Sequence, residues 1–195
     1  MRLLIDSDAF SKLGAAGLLQ EAAKVLGVPW SECHRLAALP YMLKKGRFAK
    51  KLGPSLCAEL LPLAEQLLVV PAGPAELVET LTAIPGIDPG EALLFAAAAN
   101  SKDLLLSGDK RALRSVKEVP GLAERLKRRV VTLEAILLAL CTKMGDDHLR
   151  SMVGPVLSLD TVIRIAFLDA RPAEGLKSYF DAQAKEVAPL VLWSL

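Results

Sequence analysis

The stretch from Ile87 to Leu113, IDPGEALLFAAAANSKDLLLSGDKRAL, constrains the fold more than any other part of the chain. Asp88 can serve as an N-cap, with Pro89 at the first helical position and Glu91 three residues after the cap. Leu93 to Ala99 is a run of mostly small residues that can pack closely on a sheet. Asn100 and Ser101 close that helix, Leu104 to Leu106 reads as a buried strand, and Ser107-Gly108-Asp109 turns out of it. Two carboxylates, Glu91 and Asp109, are thereby expected at the ends of core elements, where catalytic groups sit in open α/β sheets.

The rest of the chain supplies partners for that stretch. Arg2 to Ile5 is an apolar first strand ending at Asp6. Phe10 to Leu26 has helical spacing, weakened at Gly14 and Gly17, in one or two pieces. Pro29 to Leu43 reads as a second helix, and a basic linker surrounds Gly46. Pro54 to Leu68 reads as a further helix interrupted near Pro62. Leu67 to Val70 is a short strand candidate, and Ala75 to Ala83 is helical. Lys110 to Ser115 begins a helix, Val130 to Thr132 is β-branched and strand-like, and Leu133 to Met144 is an apolar helix. Short strands alternating with helices predict an α/β fold. The expected form is a three-layer sandwich whose short, mostly parallel central sheet is flanked by helices. Gly145-Asp146-Asp147 marks an expected boundary between an α/β domain (1–145) and a C-terminal helical extension (146–195). Ser158 to Ala170 and Ala173 to Val187 read as amphipathic helices, and the apolar tail from Pro189 to Leu195 is expected to pack on its own domain or on a second copy.

Composition narrows the function classes. With 195 residues the chain can bury a sizeable core. It lacks any run near the ~18 consecutive apolar residues of a membrane span, and Asp6 and Asp8 interrupt the first apolar segment as no signal peptide would. The expectation is a soluble cytoplasmic protein with no membrane partner. Net charge is +2, so distribution matters more than balance. Basic clusters fall at Lys44, Lys45, Arg47, Lys50 and Lys51, at Lys110, Arg111, Arg114 and Lys117, and at Arg125, Lys127, Arg128 and Arg129. Each reads as a solvated helix face or as a phosphate contact, and the second gains weight because it follows Asp109. Three cysteines without C-x-x-C spacing and two distant histidines argue against a structural zinc site.

In a parallel sheet the carboxyl end of each strand and the first turn of the next helix share one edge. Asp6, Glu91 and Asp109 can therefore converge. Like charges persist together only with a cation or with shifted pKa values. An oxygen-only ligand set favours Mg²⁺ or Mn²⁺. Each acid also has a bland reading: Asp88 and Glu91 form a capping box, Asp109 is a turn or cap residue, and Asp6 caps the next helix.

The set Leu4-Ile5-Asp6-Ser7-Asp8, Pro89-Gly90-Glu91-Ala92 and Leu106-Ser107-Gly108-Asp109-Lys110 resembles the PIN domain family of metal-dependent nucleases over roughly 1–144. The resemblance implies an endoribonuclease that hydrolyses RNA phosphodiesters with Mg²⁺ or Mn²⁺, leaving a 3′-hydroxyl and a 5′-phosphate. Asp6, Glu91 and Asp109 would be its metal ligands and catalytic acids. Asp8 would be an outer ligand or a cap, Glu32 a candidate additional acid, and Ser107 would orient Asp109. Lys110, Arg111 and Arg114 would touch the nucleic acid. A protein inhibitor partner and a homodimer through the extension are open expectations. Two other readings remain. One is a phosphatase of the haloacid dehalogenase type, with Asp6-x-Asp8 as its nucleophile motif, Ser107 as its second motif and Gly145-Asp146-Asp147 as its acidic metal motif. The other is a PIN-like binding protein with degraded chemistry.

Overall fold

The computed structural model describes residues 1–194, without the side chain of Arg47. The chain runs β1 (Leu3–Ile5), α1 (Ser7–Ala15), α2 (Leu19–Val25), β2 (Cys33–Arg35), α3 (Leu39–Lys44), α4 (Arg47–Leu52), α5 (Pro54–Gln66) and β3 (Leu68–Val69). It continues through α6 (Ala75–Thr82), α7 (Pro89–Ala99), β4 (Leu104–Leu106), α8 (Lys110–Val116), α9 (Leu122–Arg125) and β5 (Val130–Val131). After the last strand come α10 (Leu133–Met144), α11 (Asp146–Met152), α12 (Thr161–Leu168) and α13 (Pro172–Glu186).

The five strands form one all-parallel sheet in the order β3-β2-β1-β4-β5. The chain builds leftward from β1 to β3, then crosses over β1 to build rightward through β4 and β5. The reversal makes the β1/β4 boundary the topological switch point, whose carboxyl-end crevice is where ligands sit in open α/β sheets. Ile5 is in register with Arg35 and Leu106, and Leu106 with Val131. Asp6, Leu36, Ser107 and Thr132, the residues that follow, therefore share that edge.

Helices cover both faces of the sheet, because strand side chains alternate. Leu3, Ile5, Leu104, Leu106 and Val131 bury one face with α1, α2, α5, α10 and α12. Leu4, Leu105 and Val130 bury the other with α7 and α8. The alanines of α7 permit a tight layer: a Cβ on Gly73 would lie 2.7 Å from the Ala96 carbonyl carbon. Beyond Gly145, Leu149, Val153, Ile163, Phe167 and Leu176 join the first core, while Val187, Leu190 and Leu192 join the second. The tail packs on its own chain. The Trp193 N–H donates to the Val130 carbonyl (2.8 Å) and the Arg128 N–H donates to the Val191 carbonyl (2.7 Å). Leu195, the last residue of the expected tail, lies outside the described residues.

Several local expectations change. The segment read as one helix from Pro29 to Leu43 contains β2 and only then α3. Cys33-His34-Arg35 has no β-branched residue or readable period, and its strand state comes from pairing with β1 and β3. Pro62 does not interrupt α5. Pro62 and Ala58, whose carbonyl loses its helical donor, are both exposed, so water can take the lost bond. The helix from Phe10 to Leu26 is two helices, separated where Gly17 takes a φ of 67°. Thr132 is not strand but the N-cap of α10, accepting from the Ala135 N–H at 3.2 Å. Helices α9 and α11 were not expected.

Candidate active site

A cavity of about 450 Å³ opens at the switch point, lined by Asp6, Asp8, Asp88, Glu91, Gly108, Asp109, Lys110, Arg111 and Arg114. Five carboxylates thus face three cations. Each arrives by local geometry. Asp6 is the first residue past β1, anchored by its N–H to the Leu106 carbonyl of β4 (2.9 Å), and is only 6% exposed. Its backbone is extended (φ −65°, ψ 147°) at the N-cap position of α1. Asp109 lies past β4, where its N–H donates to the Ser107 hydroxyl at 3.4 Å. Its Oδ1 caps α8 by accepting from the Arg111 and Ala112 N–H groups at 2.9 and 3.0 Å. Ser107 thus holds the turn that presents Asp109.

Glu91 caps its own helix and also lines the cavity. The capping box forms: the Asp88 N–H donates to Glu91 Oε2 at 2.7 Å, and the Glu91 N–H donates to Asp88 Oδ1 at 2.8 Å. The same carboxyl, 6% exposed, stands beside Asp109 in the cavity. Burial pushes its pKa well above the usual carboxylate value, the Asp88 N–H opposes this, and the negative charges of Asp109 and Asp88 add to the rise.

Asp8 lines the cavity but is engaged by lysines, Lys12 at 2.5 Å and Lys51 at 3.4 Å. Glu32 must be struck from the site. It precedes β2, whose Cys33 is in register with Leu3, and so lies at the opposite edge, where its charge acts on Arg2. Asp103 lies at that edge too, as its place before β4 predicts, and pairs with Arg2 at 2.6 Å. Asp146 and Asp147 open α11, after the full length of α10 has carried the chain away from the carboxyl edge, and they do not line the cavity. The acids of the phosphatase reading therefore stand apart.

The basic clusters separate as well. Lys110, Arg111 and Arg114 form the rim. Arg111 lies 3.7 Å from Asp109, and Arg114 pairs with Glu186 of α13 at 2.7 Å. Of the first cluster, Lys51 reaches the cavity through Asp8, Lys44 pairs with Glu65 (3.2 Å), and the Arg47 side chain lies outside the description. The third cluster is partly structural: Arg125 and Arg129 donate to the Ala99 and Ala98 carbonyls that end α7, at 3.2 and 2.6 Å.

One buried acid at this edge was missed. Glu134, in the first turn of α10 and 4% exposed, pairs with Lys110 at 3.0 Å. Its signal was in the chain: an acid that follows a β-branched strand and its capping threonine falls at the carboxyl edge of the sheet, yet it reads as a mere break in an apolar run.

The donor chemistry fits a hard divalent cation, since the cavity offers carboxylate oxygen and no sulfur or imidazole. The cluster is not ready-made: among the described residues, no three of His, Cys, Asp and Glu are grouped to hold a metal ion. One oxygen of each of two acids is already engaged at a helix N-terminus: Glu91 Oε2 accepts from the Asp88 N–H and Asp109 Oδ1 from the Arg111 and Ala112 N–H groups. Among the described residues no helix is long and apolar enough to cross a membrane. The chain matches no family model, no curated protein and no solved structure, so function rests on the site itself.

Proposed function

We propose that the chain is a PIN-like, metal-dependent endoribonuclease. One observation carries the reading: Asp6, from the far end of the sequence, lines one cavity at the switch point with Glu91 and Asp109, and Lys110, Arg111 and Arg114 lie on its rim. Helix capping accounts for Glu91 and Asp109 but not for Asp6, whose side chain makes no capping bond to α1. Asp6, Glu91 and Asp109 would hold Mg²⁺ or Mn²⁺, which when bound polarises a phosphoryl oxygen and favours hydroxide over water. The rim cations would bind flanking phosphates and orient the strand for in-line attack. Ser107 would fix the turn that carries Asp109. The cleaved strand would leave as a 3′-hydroxyl and a 5′-phosphate.

A second reading draws on the capping box. With Glu91 Oε2 already bonded, the site can bind RNA through its rim without cleaving it. The two separate on labelled single-stranded RNA. Cleavage that needs Mn²⁺ or Mg²⁺ and disappears in Asp6→Asn and in Asp109→Asn supports the nuclease. Binding that persists in EDTA with no cleavage supports the binding protein. Turnover of a phosphomonoester, lost in Asp8→Asn, would instead revive the phosphatase.

A further inference from the structure

Glu134 is a buried charge that the proposed chemistry leaves unused. It is delivered to the sheet edge of Asp6 and Asp109 because α10 starts directly after β5. Its Oε1 lies 3.0 Å from Lys110 Nζ, and among the described residues its Oε2 has no hydrogen-bond partner. The N-terminus of α10 favours a negative charge there. A pair with only a structural task would satisfy both oxygens, since a bare buried acceptor costs stability. Lys110 in turn lines the cavity, and its ammonium lies 5.9 Å from the centroid of the Tyr179 ring on α13. An anion at 3.0 Å and an aromatic ring at 5.9 Å both neighbour a side chain that is still 32% exposed.

We propose that Glu134 is a positioning residue, which with Tyr179 holds the Lys110 ammonium at the cavity mouth so that its remaining N–H donors meet a substrate phosphate oxygen. The proposal rests on the nuclease reading. A lysine is a flexible point charge, and ordering it before the substrate arrives removes part of the entropy cost of binding in a reactive geometry. Charge alone and positioning predict opposite signs. Removing the acid beside the rim would tighten RNA binding by charge alone, whereas a loosened Lys110 slows the reaction.

The test is Glu134→Gln, measured for RNA affinity in EDTA, for kcat with Mn²⁺, and for thermal midpoint. The expected result is equal or tighter binding and an unchanged midpoint, with kcat lower by about 10- to 100-fold. The same substitution in a Lys110→Ala background should cost nothing further. Tyr179→Leu, at a half-buried position of α13, should shift kcat in the same direction by a smaller factor. Parallel loss of affinity, kcat and midpoint, or an equal loss of kcat without Lys110, would overturn the proposal. The rate at which an amine-reactive label modifies Lys110 is read beside these. It should rise in Glu134→Gln, and an unchanged rate overturns the proposal. If the wild-type chain cleaves no RNA, the nuclease reading fails, and the labelling rate alone still decides whether Glu134 holds Lys110.

Discussion

The two ends of the sheet bury carboxylates to the same depth and treat them in opposite ways. At the amino end, Asp103 is 4% exposed and receives the Arg2 backbone N–H and Nε–H, both at 2.9 Å. Burial alone would raise its pKa, but the Arg2 hydrogen bonds and charge outweigh it, and the net shift is downward. At the carboxyl end, Glu91 is 6% exposed and looks at Asp109, so burial and a like charge act together and its pKa rises. Equal burial thus gives opposite pKa shifts at Asp103 and Glu91, and the sign of the neighbouring charge decides which. At one end the chain placed Arg2, Arg125 and Arg129, which pair an acid and cap a helix. At the other it gathered acids and set cations around them.

The contrast can be broken most sharply by exchanging the outcomes. Asp6→Asn and Asp109→Asn should each lower the rate of metal-dependent RNA cleavage by about 10²- to 10³-fold, while Asp103→Asn should leave the rate of the folded protein intact. Comparable rate losses at both ends would erase the distinction. The next largest effect is on stability. Asp103→Asn should cost about 1–3 kcal/mol near neutral pH in denaturant unfolding, discounted from the fully buried case because Arg2 is 34% exposed. Because the Asp103 pKa is lowered on folding from 3.8, its contribution is complete above that value and fades as pH falls through the folded pKa. Wild type and variant should therefore converge in acid, and a constant gap down to pH ~2 would contradict the ion-pair account.

Glu91→Gln gives a smaller effect of opposite sign. Glutamine can complete the same capping box without presenting a charge to Asp109. Stability at neutral pH should hold or rise by up to about 1 kcal/mol, even as cleavage is lost, and a large destabilisation would make Glu91 a structural residue. Smallest of all is Glu32→Gln, which should change neither rate nor thermal midpoint measurably. A lost rate there would return Glu32 to the site.

Much of this arrangement was legible in the chain, and the misses have physical causes. Asp6, Glu91 and Asp109 could be placed because each follows an apolar strand or opens a capped helix, signals carried by neighbouring residues. The strand Cys33-His34-Arg35 could not, because pairing with β1 and β3, distant in sequence, decides it. That error also misplaced Glu32: read within a helix it could point anywhere, and read before β2 it belongs to the amino edge. The break between α1 and α2 at Gly17 was readable as a weakness, while the persistence of α5 through Pro62 depends on solvent reaching Ala58. Glu134 was overlooked because an acid in an apolar run looks like an interruption until β5 is known to end just before it.

The central position of β1 has a consequence for how the molecule comes into being. Leu3 pairs with Leu104 and Ile5 with Leu106, partners that the chain must bring together across a long loop. Such closure is entropically costly and slow relative to helix formation. A folding chain that has assembled only β1, β2 and β3 already owns Asp6 but neither Glu91 nor Asp109. The acids meet when β4 docks on β1, so a chain without that pairing carries no assembled cavity, and the proposed chemistry would wait for it.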